Sequence, residues 1–134
     1  MNGLYDLKKY LGKTILALGL YNFFWGGFEL ASILSPTRIT SQSQLEQAVE
    51  AEKISLGCDR TISSMFVDDA YFLGRAEKVA NSYKIFLDPD TANLSILRHE
   101  VYHVCRTEMP CSPFRYWFLE EPAAIIYGLF KISF

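Results

Sequence analysis

The feature that most restricts how this 134-residue chain can fold is a run of 21 predominantly apolar residues, 14–34 (TILALGLYNFFWGGFELASIL). Its length is about that of a helix crossing the hydrocarbon core of a bilayer, roughly 20 residues. Three lysines precede the run, so the positive-inside rule predicts a cytoplasmic N-terminus and export of the chain beyond residue 34. We therefore expect residues 1–36 to form a hydrophobic N-terminal helix that serves as a signal anchor or signal segment.

The alternative for the same run is a helix that docks on a soluble domain. Glu29 and the Gly26–Gly27 pair favour this alternative, because a charge and a flexible pair fit poorly in lipid. A signal anchor predicts a membrane-anchored or exported, extracytoplasmic domain. A docked helix predicts a cytoplasmic protein.

The three cysteines lie at positions 58, 105 and 111, without the CxxC spacing of structural zinc sites. An odd number leaves at least one outside any disulfide within a monomer. In an oxidising compartment Cys105 and Cys111 are candidates for a disulfide, and Cys58 could equally pair with either. In a reducing compartment all three would remain thiols.

The composition beyond the apolar run is that of a folded chain, because half of the residues are apolar and about a fifth are charged. The length allows one domain, residues 37–134. The net charge of -2, without a cluster of Lys or Arg, argues against a nucleic-acid partner.

Short helices and strands are predicted after a polar segment, TRITSQSQ (37–44), that is typical of a linker. Ser43 followed by Glu46 forms a capping box, which predicts a helix that ends at Gly57. Alternation of apolar and polar residues then predicts strands in RTISSMFV (60–67), AYFLGRAEKV (70–79) and SYKIFL (82–87).

Two helical regions complete the chain. The first is predicted to start near Thr91 to Asn93 and to run through NLSILRHEVYHVCR. The last segment, FRYWFLEEPAAIIYGLF (114–130), predicts one long helix or two short ones, with Pro122 opening a helix or kinking it. This order of elements predicts a small α+β domain.

Both histidines of the chain lie in RHEVYHV, residues 98–104. On a helix, His99 and His103 lie one above the other and can present their imidazole nitrogens to one point, a spacing that suits tetrahedral zinc. Glu100 is too far round the helix to be a third ligand, but it can hold a metal-bound water. HExxH is for this reason the recurring motif of zinc peptidases. The alternative is a chance pattern on a buried helix without metal.

The candidates for a third metal ligand can be reduced by elimination. The chain has no other histidine, and no Asp follows the motif. Glu108 would point away from the pair, on the tail of the same helix. Glu120 and Glu121, in FLEEPAAIIYG on the following helix, remain.

HExxH followed after 16 or 17 residues by Glu-x-x-Ala resembles the gluzincin clan of zinc metallopeptidases. The layout YKIFLDP…LRHEVYHV…LEEPAA resembles the minimal members called minigluzincins, over about residues 45–130. The resemblance implies a small zincin-like domain with a short mixed sheet, an HExxH active-site helix and a C-terminal helix that carries the third ligand. It also implies an enzyme that hydrolyses peptide bonds of a peptide or protein substrate.

The resemblance further implies one zinc ion (Zn2+) per chain, with His99 and His103 as ligands and Glu100 as the general base. Glu121, which heads EPAA, would be the third ligand, and Ala124 the small residue that lets its helix approach the motif helix. Glu120 is also followed three residues later by an alanine, so it stays an alternative ligand.

The chain departs from the thermolysin pattern at Ile125, where the family has an acid beyond the ligand Glu. Orientation of the histidines would then fall to backbone carbonyls or to no group at all. With no spare histidine, a tyrosine could steady the oxyanion of the reaction, although each is otherwise a core or rim residue. The candidates are Tyr102, Tyr116 and Tyr127.

In the family that this chain resembles, an edge strand before the motif helix pairs with extended substrate. Here that strand would be 82–87, and an ordinary strand of the sheet is the alternative. The predicted substrate-binding residues on it are Tyr83, Lys84, Ile85 and Phe86.

Two other functions stay open. Peptide deformylase also uses HExxH, with a cysteine ligand some forty residues upstream, and Cys58 lies 41 residues before His99. The LGCDR sequence around Cys58 does not match that enzyme. The second alternative is a membrane-anchored, catalytically weak or inactive zincin-like domain that acts as a binding module.

Overall fold

The computed structural model describes residues 14–16, 18–23, 26–27, 30–31, 35–68, 73–107 and 111–132. The chain divides into two compact units, Met1–Leu30 and Ala31–Phe134. In the first unit the described residues are helical. No helix among the described residues is long and apolar enough to cross a membrane. Because eight of the 21 residues of 14–34 lie outside the described residues, the signal anchor stays a prediction.

The second unit contains the predicted first helix, α1, as Gln42–Leu56. Ser41 caps it, because its extended backbone directs the side-chain oxygen to accept from the backbone N–H of Gln44. The predicted cap at Ser43 is therefore wrong by two residues. Gly57 ends the helix with φ 61°, a left-handed conformation that glycine adopts without strain.

The segment 37–44 is not a linker, although its polar composition is typical of one. Ile39 is buried, and its N–H donates to the carbonyl of Ala92. The N–H of Leu94 donates to the carbonyl of Thr37. This segment therefore packs beside the turn that leads into the motif helix.

Three strands form a mixed sheet: β1 (Ile62–Phe66), β2 (Gly74–Val79) and β3 (Ser82–Leu87). β3 is central, parallel to β1 and antiparallel to β2. The predicted short mixed sheet is confirmed. The prediction that 82–87 is an edge strand is wrong, because a tight turn folds β2 and β3 against each other and β1 pairs with the other side of β3.

The motif helix, α2, spans Leu94–Arg106. Its N-cap is Asn93, whose side chain accepts from the backbone N–H of Ile96. Its fully buried residues Leu97 and Val101 belong to the main core. The prediction of a helix through RHEVYHV is confirmed.

The C-terminal region combines one helical turn, α3 (Pro113–Arg115), a π-helical segment (Tyr116–Glu120) and a longer helix, α4 (Glu121–Phe130). Pro122 lies in the first turn of α4 and has no N–H to donate to a preceding carbonyl. Pro122 therefore marks the start of α4, with a wider π-turn before it.

A disulfide joins Cys58, just after α1, to Cys105 near the end of α2, and the two Cα atoms are 5.5 Å apart. This is one of the pairings that the sequence left open. The other candidate, Cys105 with Cys111, does not form. Cys58 in a disulfide offers no thiolate for a metal, which removes the deformylase-like ligand.

Candidate metal centre

Three side chains converge between α2 and the start of α4. The Nε2 atoms of His99 and His103 lie 3.2 Å apart. Glu121 places Oε1 3.2 Å from Nε2 of His99 and Oε2 2.6 Å from Nε2 of His103. One ligand atom from each of the three residues lies within 4.8 Å of the others. We call these three residues the His–His–Glu cluster.

The two histidines lie together because of helix geometry, and the carboxylate of Glu121 reaches them because α4 packs closely against α2. Residues four apart on α2 project from one face. Ala124 on α4 is fully buried. A Cβ added to Gly128 would lie 2.6 Å from the carbonyl oxygen of Ser95 and 3.4 Å from Cβ of His99. Only a glycine at this position lets α4 lie this close to α2.

Ala124 was predicted from the sequence as the small residue of this contact, but Gly128 was not. The available signal was the spacing of four residues between them, which puts both on one face of a helix.

Glu120, the alternative ligand, does not join the cluster. Its Oε1 lies 2.8 Å from Nε of Arg115. Its Oε2 accepts from the hydroxyl of Thr107 at 3.4 Å. The structure thus brings Glu121, and not its neighbour, to the two histidines.

The two buried carboxyl groups of the site have pKa values shifted in opposite directions. Burial raises the pKa of Glu121, but hydrogen bonds with His103 and His99 outweigh it and hold that pKa well below its usual range. Burial raises the pKa of Glu100, and attraction to the two histidines only partly opposes this. One carboxylate is therefore held ionised, while the other is able to take up a proton.

Glu100 lies against the first residue of β2. A Cβ added to Gly74 would approach Cγ of Glu100 to 3.1 Å and Cγ2 of Ile96 to 2.9 Å. Among the described strands, β2 pairs only with β3, so its other side is a free edge of the sheet. Gly74, at the start of this edge strand, therefore brings β2 next to Glu100.

A side chain, and not only the backbone, orients one of the histidines. Nδ1 of His103 lies 3.2 Å from Oγ1 of Thr107, which is buried at the C-cap of α2. The expectation that only backbone carbonyls or nothing would hold the histidines is wrong for this residue. Sequence reasoning missed Thr107, although it lies four residues after His103 on the same face. Ile125, where the family has an acid, is buried.

Tyr116 is the only one of the three candidate tyrosines beside the cluster. Its ring stacks on that of His103, with centroids 5.5 Å apart and planes 15° apart. Burial, together with the charge of Glu121 and a hydrogen bond to it, raises the pKa of Tyr116 above its usual range. Tyr102 and Tyr127 are buried, and their rings pack together.

The four predicted substrate residues of β3 make contacts within the sheet. Ile85 is fully buried. The hydroxyl of Tyr83 accepts from Arg60. Arg75 of β2 lies over the ring of Phe86, 4.8 Å from its centroid. Lys84 lies opposite Glu77 in the register of the β2–β3 ladder.

Comparisons with protein-family models, with curated proteins and with solved structures return no match for this chain. A function is therefore inferred from the His–His–Glu cluster and its surroundings.

Proposed function

We propose that this protein is a zinc-dependent metallopeptidase of the gluzincin type, with one Zn2+ ion bound by His99, His103 and Glu121. The observation that carries the proposal is the convergence of two imidazole nitrogens and one carboxylate within 4.8 Å. Two histidines and one glutamate are a donor set of catalytic zinc sites, in which the fourth position is left for water or substrate. The chemistry of the donor set therefore fits zinc.

Zinc bound there would lower the pKa of a water molecule and polarise the carbonyl of a peptide bond. Glu100 acts as the general base. It follows His99 directly on α2 and is almost completely buried. Because burial raises its pKa, Glu100 can take the proton of the attacking water and then hand it to the leaving amine.

We assign to Tyr116 the stabilisation of the oxyanion that develops on the substrate carbonyl. Its ring is next to His103, and its raised pKa keeps the hydroxyl protonated and therefore able to donate a hydrogen bond. Its present partner is Glu121.

The free edge of β2 supports a binding mode for an extended peptide substrate. A peptide that pairs with this edge gains main-chain hydrogen bonds and runs past Gly74, which lies against Glu100. This assignment replaces the one to β3, whose two sides are occupied by β1 and β2.

The proposed location is membrane-anchored or exported, with the catalytic domain outside the cytoplasm. The Cys58–Cys105 disulfide supports it, because disulfides persist in oxidising compartments. The apolar run 14–34 would provide the membrane contact.

The first test is the metal content of the purified full-length chain after dialysis, measured by elemental analysis. We expect one zinc per chain in the parent and loss of zinc in Glu121→Ala. Glu50→Gln, which changes an exposed carboxylate on α1, is the matched control and should still bind one zinc. A folded parent without metal would contradict the proposal, and zinc retained in Glu121→Ala would reassign the third ligand.

The second test separates binding from catalysis. Glu100→Gln should keep zinc, since Glu100 is not a ligand, but should lower the rate of peptide cleavage by about 10²- to 10⁴-fold, the usual contribution of a general base. Cleavage can be followed by mass spectrometry of a mixed peptide library. Equal rates in the parent and Glu100→Gln would exclude this glutamate as the base.

A second candidate is a zinc-stabilised domain that binds a partner without cleaving it. The observation that favours it is a set of exposed apolar side chains next to the cluster, in the α3 and π-helical segments: Phe114, Trp117, Phe118 and Leu119. If this candidate is correct, the parent binds zinc, and neither the parent nor Glu100→Gln cleaves any peptide of the library.

A further inference from the structure

The hydroxyl of Thr107 lies between a histidine of the cluster and the carboxylate outside it. Oγ1 is 3.2 Å from Nδ1 of His103 and 3.4 Å from Oε2 of Glu120. The other carboxylate oxygen of Glu120 lies 2.8 Å from Nε of Arg115. Four side chains therefore form one chain of hydrogen bonds that starts at the cluster and ends at a guanidinium.

The polarity of this chain follows from the groups in it. A carboxylate paired with a guanidinium only accepts hydrogen bonds. The single hydroxyl proton of Thr107 is thus donated to Glu120, and the oxygen of Thr107 must accept from Nδ1–H of His103. With zinc in place of the contact between Nε2 of His103 and Oε2 of Glu121, a neutral imidazole that keeps its proton on Nδ1 would have its lone pair on Nε2, the atom that faces the cluster.

We propose that Thr107 and Glu120 are positioning residues of the metal centre, which hold His103 in the Nδ1-protonated tautomer with Nε2 directed at the metal. This inference rests on the proposed zinc site. It assigns to a threonine and a more distant carboxylate the orienting task for which the chain has no acid at Ile125. It also gives Glu120 a function other than that of a ligand.

The π-helical segment explains why both orienting contacts reach the same ring. It begins at Tyr116, which stacks on the face of His103, and ends at Glu120, which contacts Thr107 at the edge of that ring. The backbone N–H of Thr107 also donates to the carbonyl of His103 at 3.0 Å. The imidazole is therefore held on one face and at its Nδ1 edge.

The test compares Thr107→Val and Thr107→Ser in the full-length protein. Valine keeps the buried volume of the threonine but lacks the hydroxyl, whereas serine keeps the hydroxyl. Loss of such an orienting group typically weakens metal binding by about 10- to 100-fold. We expect this loss of zinc affinity in Thr107→Val, measured by competition with a chromophoric chelator, and affinity close to that of the parent in Thr107→Ser.

The matched control is Thr91→Val. Thr91 lies in the turn before α2, and its buried hydroxyl oxygen has no hydrogen-bond partner among the described residues. This substitution makes the same chemical change without breaking a contact to a ligand, so zinc affinity should stay at the parent value.

Nitrogen NMR of the two histidines gives a readout that general loosening of the fold would not reproduce. In the zinc-loaded parent, the Nδ1–H proton of His103 should be protected from exchange with solvent, and in Thr107→Val it should exchange rapidly.

Glu120→Gln keeps a hydrogen-bond acceptor for Thr107 but loses the negative charge, so we expect a zinc affinity between those of the parent and Thr107→Val. Glu50→Gln on α1, where the carboxylate is exposed, is the control for that loss of charge.

The outcomes separate the two proposals. A parent that binds no zinc would overturn both. A parent that binds zinc with the same affinity as Thr107→Val, with the Nδ1–H proton equally protected, would overturn the positioning role alone. If Thr107→Val does not fold, as judged by circular dichroism, Glu120→Gln decides, and an unchanged affinity there overturns the role.

Discussion

Single residues decide how closely α2 and α4, the two helices that carry the His–His–Glu cluster, approach each other. Gly128 faces the backbone of α2 at Ser95 and the Cβ of His99. Ala124, one turn earlier on α4, is fully buried. These two small residues let α4 lie close to α2, and this closeness brings Glu121 within reach of the histidines.

We predict that Gly128→Ala lowers both stability and zinc affinity. In the interior of an exposed helix this change would stabilise by about 0.5–1 kcal/mol. Here the added Cβ would lie 2.6 Å from the carbonyl oxygen of Ser95, so the helices must separate. Overpacking of this kind typically costs about 1–3 kcal/mol. Urea unfolding and chelator competition measure the two effects.

The control for this prediction is Gly26→Ala, where an added Cβ meets no atom of the described residues within 4 Å. It should leave both quantities unchanged or raise stability slightly. A Gly128→Ala protein as stable as the parent, with the same zinc affinity, would show that α4 can shift without consequence for the cluster.

At the scale of elements, a buried carboxylate on α1 connects both helices that carry the cluster. Glu52 accepts from the hydroxyl of Tyr127 on α4 at 2.7 Å and from Nε of Arg98 on α2 at 3.0 Å. Nζ of Lys131, just after α4, is 3.6 Å away. A buried carboxylate is tolerated only with such partners. Glu52 therefore stabilises the mutual position of three helices.

We predict that Tyr127→Phe destabilises the fold by about 1.5–3 kcal/mol at neutral pH, the usual contribution of a hydrogen bond to a charged group. Tyr83→Phe is the control, because the hydroxyl of Tyr83 is only partly buried and lies 3.3 Å from its donor, Arg60. It should cost less than about 1 kcal/mol. Equal losses in the two variants would contradict a special role for the Tyr127–Glu52 contact.

The same contact predicts a pH dependence. Burial and the hydrogen bond to Glu52 raise the pKa of Tyr127 to about 12, whereas a tyrosine in an unfolded chain ionises near pH 10. Because the folded-state pKa is the higher one, the stabilisation is fully present below pH 10 and is lost as the pH rises towards 12. Urea unfolding between these pH values should show a smaller loss for Tyr127→Phe than for the parent.

At the scale of the whole molecule, the Cys58–Cys105 disulfide closes a loop with a sequence separation of 47 residues that contains the complete sheet. Restricting the unfolded chain over a loop of this length is worth about 4 kcal/mol in the chain-entropy model. We predict that reduction lowers the free energy of unfolding by about this amount. The Cys58→Ser, Cys105→Ser double variant should have the same low stability with or without reductant.

Cys111→Ser provides the control, since it leaves the disulfide intact and should remain sensitive to reductant. Peptide mapping without reduction should recover Cys58 and Cys105 in one linked fragment. A linked fragment that contains Cys111 would contradict the assigned pairing.

Much of the element content could be predicted because it depends on neighbours in the chain. The i, i+4 histidines, the helix stop at Gly57 and strand SYKIFL follow from backbone periodicity and local capping. The small mixed α+β architecture is confirmed on this basis. The cap at Ser43 and the linker were wrong, because the capping-box pattern and the polar composition do not report the contacts that 37–44 makes with the turn before α2.

By itself, the sequence determined most of the helices and strands, the spacing of the two histidines, and the two adjacent glutamates that were candidates to join them. Only the tertiary structure decided which glutamate meets the histidines, because that depends on how α4 packs against α2. The tertiary structure also decided the central position of β3, the partner of Cys58 and the contact of Thr107 with Glu120. These features depend on contacts between segments far apart in the chain, which local periodicity does not specify.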